Sequence, residues 1–294
     1  MRESCLHAAL SRHITPTMSE LTFTKMHGLG NDFVVLDVRE NTVFLDAGQT
    51  KFIADRRLGI GCDQILIIEP AKAEGADVFM RIFNADGGEV DSCGNGARCV
   101  AALVMAETGA EKITIETNAG VLEAFAGEDG YVAIDMGPAN VSWRDIPLAE
   151  EADTLALELS LGDLSGPVAV NVGNPHAVFF VDDAAAVALE DLGPQIETHA
   201  IFPERTNVEI AQMLPDGSIR LRVWERGVGI TRACGTGACA TLVAASRRNL
   251  SARNAIIILD GGALGIEWRD DNHVILVGPV AAVFSGNLAL KVLE

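Results

Sequence analysis

The chain has 294 residues, 49% hydrophobic and 21% charged, which is the balance of a folded protein with one large or two modest domains rather than a disordered or fibrous one. A formal net charge of −19 with no Lys/Arg cluster disfavours nucleic acid and anionic lipid surfaces as partners. Apolar runs such as residues 101–106 and 255–259 fall far short of the ~18 residues that suggest a membrane span.

Residues 1–20 carry Arg2, Arg12 and two histidines but no continuous apolar stretch. They read as a disordered extension, or as a start upstream of a native Met18, and not as a secretory signal. Short or alternating apolar runs then predict strands at 21–26, 33–38, 65–69, 78–83, 112–117 and 131–136. Residues 96–107 are apolar on almost every side and lack internal Pro or Gly, which predicts a helix buried all round inside a wrapped sheet. A polar, acidic stretch at 137–166 reads as a connection. The order then recurs, with strands at 168–172, 177–181, 206–212 and 218–224 and a buried helix at about 237–247.

The recurrence keeps register, as a duplication requires. Gly30-Asn31 matches Gly173-Asn174 (174 − 31 = 143) and Gln64 matches Asn207 (207 − 64 = 143). Asn84 matches Glu225 and Cys93 matches Cys234, both at 141, so one two-residue deletion accounts for the change (225 − 84 = 141, 234 − 93 = 141). The strongest echo is CGNGARC at 93–99 against CGTGACA at 234–240. The fold class expected is therefore α/β (α+β), with two pseudo-symmetric domains, each a mostly antiparallel sheet around a central helix, and a site in the cleft between them. The first half spans 21–135 with the C-terminal 281–294, and the second spans 136–280.

Six cysteines occur, at 5, 62, 93, 99, 234 and 239, and none forms a CxxC pair of the zinc or thioredoxin kind. Without an export signal, reduced thiols in a cytoplasmic protein are expected. Cys99 and Cys239 fall inside apolar helices and read as core, Cys5 and Cys62 carry no context, and His27 stays unassigned. Each CGxGA string lies between a polar loop and a buried helix, so its glycines free backbone N–H groups to face an anion at the helix start. The same end favours thiolate over thiol, though only by roughly 0.3–1 kcal/mol, under about one pKa unit from a thiol near ~8.5. One base and one acid is the natural state of such a pair, since two adjacent thiolates repel. With the two helix ends facing, a carboxylate could accept from Gly94, Asn95, Gly235 and Thr236 while its α-carbon lies between Cys93 and Cys234. Contacts of ~3–3.5 Å on each side put the sulfurs on the order of 7 Å apart in a closed site, against ~2.05 Å in a disulfide. Passing a proton from one face to the other inverts the centre without a cofactor or a metal.

At these motifs the sequence resembles the diaminopimelate epimerases, over roughly residues 21–294. The motifs that carry the resemblance are KMHGLGNDF at 25–33, GIGCDQIL at 59–66, FNADGGEVDSCGNGARC at 83–99, GNPH at 173–176, RTNVE at 205–209 and WERGVGITRACGTGACA at 224–240. The resemblance implies epimerisation of LL-2,6-diaminopimelate to meso-diaminopimelate in lysine and peptidoglycan precursor synthesis, with Cys93 as proton donor and Cys234 as acceptor, roles that swap with the direction of reaction. It implies substrate binding by Asn31, Gln64, Asn84, Asn174, Asn207, Glu225 and Arg226, with Gly94-Asn95 and Gly235-Thr236 on the reacting carboxylate. His176 and Glu225 resemble positions that tune the thiols, and a C-terminal strand is expected to return to the first half. Two stretches depart from the family pattern: Ile230, Thr231 and Arg232 before Ala233-Cys234, and Val90-Asp91-Ser92 before Cys93.

Two other readings fit the cysteine pair. A proline- or hydroxyproline-type racemase or epimerase also uses such a pair on this fold, and a redox-sensing protein could close a Cys93–Cys234 disulfide. A phenazine-type isomerase lacks the pair, and neither GLGN nor GVGI completes a dinucleotide motif. The expected partner is a small diamino dicarboxylate, with neither nucleic acid nor membrane; the chain could also pair as a homodimer.

Overall fold

The computed structural model describes residues 19–41 and 43–290. The extension expected over 1–20 lies outside them except for its last two positions, which open the first strand. The first half runs β1 (Ser19–Gly28), β2 (Asn31–Asp37), α1 (Ala47–Ala54), β3 (Gln64–Pro70), β4 (Val78–Asn84), β5 (Glu89–Val90), α2 (Gly94–Thr108), β6 (Lys112–Thr117), β7 (Gly120–Ala126) and β8 (Tyr131–Pro138). A small hairpin follows, β9 (Ser160–Leu161) with β10 (Leu164–Ser165). The second half runs β11 (Val168–Asn171), β12 (Pro175–Phe180), α3 (Leu189–Glu197), β13 (Asn207–Met213), β14 (Ile219–Glu225), β15 (Gly229–Thr231), α4 (Gly235–Arg247), β16 (Asn254–Leu259), β17 (Gly262–Trp268) and β18 (His273–Pro279). Then β19 (Ala281–Leu290) returns to pair antiparallel with β1.

The duplication is visible in the hydrogen-bond register. Parallel β2–β3 pairs Phe33 with Gln64, and parallel β12–β13 pairs His176 with Asn207, both 143 residues on (176 − 33 = 143). The β4–β5 pair Ile82–Val90 recurs as Val223–Thr231 at 141 (223 − 82 = 141). The turn pair Thr117–Gly120 recurs as Leu259–Gly262 at 142 (259 − 117 = 142). In each half two strand pairs are parallel and the rest antiparallel, and β8 joins β18 so that the halves share one sheet.

Each sheet wraps one helix. Ala97, Cys99, Val100, Ala101, Val104 and Met105 of α2 pack against Phe33, Leu66, Ile82, Ile115 and Ile134. Ala238, Cys239, Leu242 and Val243 of α4 pack against Val178, Leu221, Ile257 and Ile266. The outer faces are covered too: α1 places Ile53 and Ala54 on Val34, Leu36, Ile65 and Ile67, which is why runs such as FVVL and ILII do not alternate.

The stretch at 137–166 is more than a connection. Ile146, Leu148, Leu157, Leu159 and Leu164 are buried and cover the outer face of the second sheet together with α3. Their spacing follows neither a 2- nor a 3.6-residue period, so the acidic residues between them dominated the reading. The pattern also passed over α1, α3, β7 and β16–β18. In α3, Gly193 and Pro194 mask the helical signal, yet a Cβ at Gly193 would lie 2.6 Å from the Trp224 ring, so close packing there requires glycine.

Candidate active site

Both CGxGA strings start a central helix with the cysteine as N-cap. Cys93 (φ −153°, ψ 107°) and Cys234 (φ −123°, ψ 110°) are extended, and each sulfur accepts from the N–H three residues on, Gly96 at 3.3 Å and Gly237 at 3.4 Å. The second glycine of each motif is sterically closed in: a Cβ at Gly96 would come within 2.9 Å of Leu66, and one at Gly237 within 3.0 Å of Glu209 Oε1 and 3.3 Å of Cys234 Sγ. The helices start at Gly94 and Gly235, so these residues, Asn95 and Thr236 have no carbonyl four positions back to bond.

The two helix starts open on one cavity of about 1480 Å³, lined by Cys93, Gly94 and Asn95 from one half and Cys234, Gly235 and Thr236 from the other. Asn31, Gln64, Asn84, Asn174, Glu225 and Arg226 line the same cavity. The loops carrying Asn31 and Asn174 turn on Gly30 (φ 85°) and Gly173 (φ 99°), a left-handed conformation that glycine adopts without strain. Gln64 Nε2 donates to Asn84 Oδ1 at 2.9 Å, leaving Gln64 Oε1 buried without a partner. That is an acceptor suited to an ammonium. Arg226 is exposed, with one donor on Glu204 O at 3.0 Å.

His176 and Asn207 lie behind this lining. Asn207 is buried, donating to Pro175 O at 3.0 Å and accepting from Arg226 N at 2.9 Å, so it shapes the loops that carry Asn174 and Arg226. His176 is fully buried, with Nδ1 2.7 Å from Glu209 Oε1 and Nε2 2.7 Å from Asn174 Oδ1. The sequence reading missed Glu209, although it ends the RTNVE motif, because nothing in a fully buried strand marks one residue as charged partner. It also missed a network at the cavity lip. Arg56 bridges Asp32 (2.6 Å) and Asp63 (2.7 Å), Lys25 bonds Asp32, and Asp63 accepts from Asn31 at 3.1 Å. Burial alone would raise the Asp32 carboxyl, but bonds from Arg56 and Lys25 outweigh it and hold Asp32 far below the ordinary range.

Burial dominates the electrostatics of the thiols. It pushes Cys93 up to about 11, with the Gly96 N–H and Arg98 pulling the other way. Cys234 is also driven well up, by burial first and then by Glu225 and Glu209. Glu225 is itself raised by burial, against the bond it accepts from Thr231 and the pull of nearby His176. Both cysteines are free thiols. The arrangement can hold a carboxylate at two helix starts with a thiol on each side.

A family model described as diaminopimelate epimerase matches residues 23–142 and 168–283. The diaminopimelate epimerase of Rhodospirillum centenum is 55% identical over 267 residues, covering 91% of this chain and 92% of its own length. That of Acidiphilium cryptum is 55% identical over 266 residues, covering 90% and 95%. Among solved structures, a hydroxyproline epimerase from Agrobacterium vitis with bound trans-4-hydroxy-L-proline matches with a TM-score of 0.65 at 17% identity, over 92% of this chain and 93% of the other. A phenazine biosynthesis protein of the PhzF family from Bacillus anthracis matches with a TM-score of 0.66 at 16% identity, over 93% and 100%. At such identities the last two establish the fold alone.

Proposed function

The chain belongs to the diaminopimelate epimerase family, and from that membership we propose that it interconverts LL- and meso-diaminopimelate by passing a proton between Cys93 and Cys234. One thiolate takes the α-proton from one face, the other thiol returns a proton to the opposite face, and the configuration inverts. Negative charge moves onto the substrate carboxylate as the α-proton leaves, and the unpaired N–H groups at the two helix starts stabilise it there. The observation that carries this reading is the pair of matched N-capping cysteines opening on a single cavity.

A substrate with an amino acid at each end needs a second polar subsite. Arg226 supplies a fork of donors for the distal carboxylate, and Asn31, Gln64, Asn84 and Asn174 offer donors and acceptors to the ammonium groups. Asn207 acts by holding the Asn174 and Arg226 loops. Glu225 faces Cys234 and, with His176 and its partner Glu209, tunes that thiol. The reaction needs no cofactor, and its product serves lysine synthesis. The reaction needs both thiols reduced, and on that ground we place the enzyme in the cytoplasm.

The test is turnover in deuterium oxide on LL-diaminopimelate, beside L-proline and trans-4-hydroxy-L-proline, with wild type, Cys93→Ser and Cys234→Ser. Wild type should exchange the α-hydrogen as it inverts diaminopimelate, and each variant should lose almost all inversion. Full activity in either variant, or turnover of the proline substrates alone, sinks the reading.

A further inference from the structure

The two halves repeat a backbone but not the charges around their thiols. Five residues after Cys93 on α2 stands Arg98; the matching position on α4 is Cys239 (239 − 98 = 141). Arg98 is fully buried, and it is the largest side chain so enclosed among the described residues. Its Nη2 donates to Asn95 Oδ1 at 2.9 Å, while among the described residues Nε and Nη1 meet no acceptor and no carboxylate pairs with it. A Cβ at Gly28 of β1 would lie 3.0 Å from Nη2, and one at Gly278 of β18 would lie 3.2 Å from Cζ, so the guanidinium is clamped where the halves meet. The ionisable groups that act on it are the thiols of Cys99, Cys93 and Cys239.

Around Cys234 the buried charges have the opposite sign. Glu225 stands where the first half has Asn84, and Glu209 stands where it has Leu66 (209 − 66 = 143). His176, which bonds Glu209, replaces Phe33. Two exposed residues run the other way: Asp91 lies two positions before Cys93 and Arg232 two before Cys234. Glu225 also reaches Cys93 across the cavity and opposes its ionisation. Charges in water interact about fourfold more weakly than partly buried ones at the same distance (effective dielectric ~80 against ~20), so the buried groups decide.

Building on the two-thiol reading above, we propose that the unpaired buried guanidinium of Arg98 makes Cys93 the first of the two thiols to give up its proton. Cys93 loses that proton to water and meets as base the stereoisomer whose α-proton faces it, while Cys234 keeps its proton and serves as acid in that direction. After one inversion Cys93 carries the substrate's proton and Cys234 is the thiolate, so proton exchange with water or a reverse turnover resets the site. Arg98 touches no reacting atom. It is a positioning residue, acting through Cys93 and through Asn95, whose Nδ2 in turn donates to Asn31 Oδ1 at 3.2 Å.

The test is alkylation by iodoacetamide across pH, each cysteine quantified by peptide mass spectrometry and read as the pH midpoint of its rate. The midpoint is used because Cys93 is half-buried and Cys234 buried, so absolute rates differ for access alone. In wild type the Cys93 midpoint should fall below that of Cys234. Arg98→Met should raise it by roughly one unit or more, with a smaller change at Cys234, and Arg98→Lys, which keeps the charge, should restore it. A lower midpoint at Cys234 in wild type overturns the proposal, as does an unmoved Cys93 midpoint in an Arg98→Met protein whose circular dichroism matches wild type. If Arg98→Met does not fold, a wild-type Cys234 midpoint below that of Cys93 still overturns the proposal, and Arg98→Lys, by holding the Cys93 midpoint below that of Cys234, supports it. Cys234 ionising first in an enzyme that needs both thiols sinks only this proposal, whereas dispensable thiols sink the two-thiol reading itself.

Discussion

Glu225 shows how one buried side chain ties folding to pH. Burial holds its carboxyl above the ordinary range, so the folded state keeps this proton to higher pH than the unfolded chain does. The stability tied to the protonated form is therefore present below the unfolded value, near ~4.3, and is lost as pH rises through the folded value. Glu225→Gln keeps an oxygen for Thr231 but cannot ionise. Thermal melts should show its midpoint level with wild type near pH 4 and ~2–4 °C above it by pH 8, while turnover falls because the group facing Cys234 is gone. A midpoint difference that does not grow with pH would remove the raised carboxyl from the account. At this scale the cysteines, glycines and asparagines were legible because they recur in register. Arg98 and Glu209 were not, since an arginine or glutamate in a sequence looks the same whether water or a helix will surround it.

At the scale of the element, the second glycine of each CGxGA helix start limits what the motif can tolerate. Replacing a helical glycine by alanine ordinarily stabilises, by up to about 1 kcal/mol. Here a Cβ at Gly237 would meet the fully buried Glu209 carboxylate and the Cys234 sulfur, so Gly237→Ala should instead destabilise by roughly 1–3 kcal/mol in urea unfolding and displace the thiol enough to lower kcat. Gly96→Ala meets Leu66 in the matching place and should destabilise as well. A neutral or stabilising effect in both would show that the helix starts are less confined than their packing indicates. The central helices were readable from their all-round apolar character, whereas α1 and α3 were hidden by brevity and by Gly193-Pro194, whose compatibility with a helix is settled by Trp224.

At the scale of the molecule, β8–β18 ties the halves into one sheet, β19 crosses back from the second half to pair with β1, and α2 packs on α4. All three tryptophans, Trp143, Trp224 and Trp268, follow the first half. Melting followed by tryptophan fluorescence should therefore coincide with melting followed by far-ultraviolet circular dichroism, and two separated midpoints would mean that the halves unfold independently. The cavity, about 1480 Å³, exceeds the ~300–1,000 Å³ usual for a small ligand. Domain closure around substrate is expected from this, and tryptophan or scattering changes on adding diaminopimelate measure it. The chain by itself determined the duplication, the helix-capping cysteines and the reaction class, because repeated residues at a fixed offset and glycines before an apolar run are local signals. Only the tertiary structure decided that 137–166 covers a sheet, that His176 and Asn207 stand behind the site, and that the two thiols lie in unlike fields. Those depend on which distant side chains burial brings together, and the cost of desolvating a charge is fixed by the whole surrounding shell rather than by any neighbour in sequence.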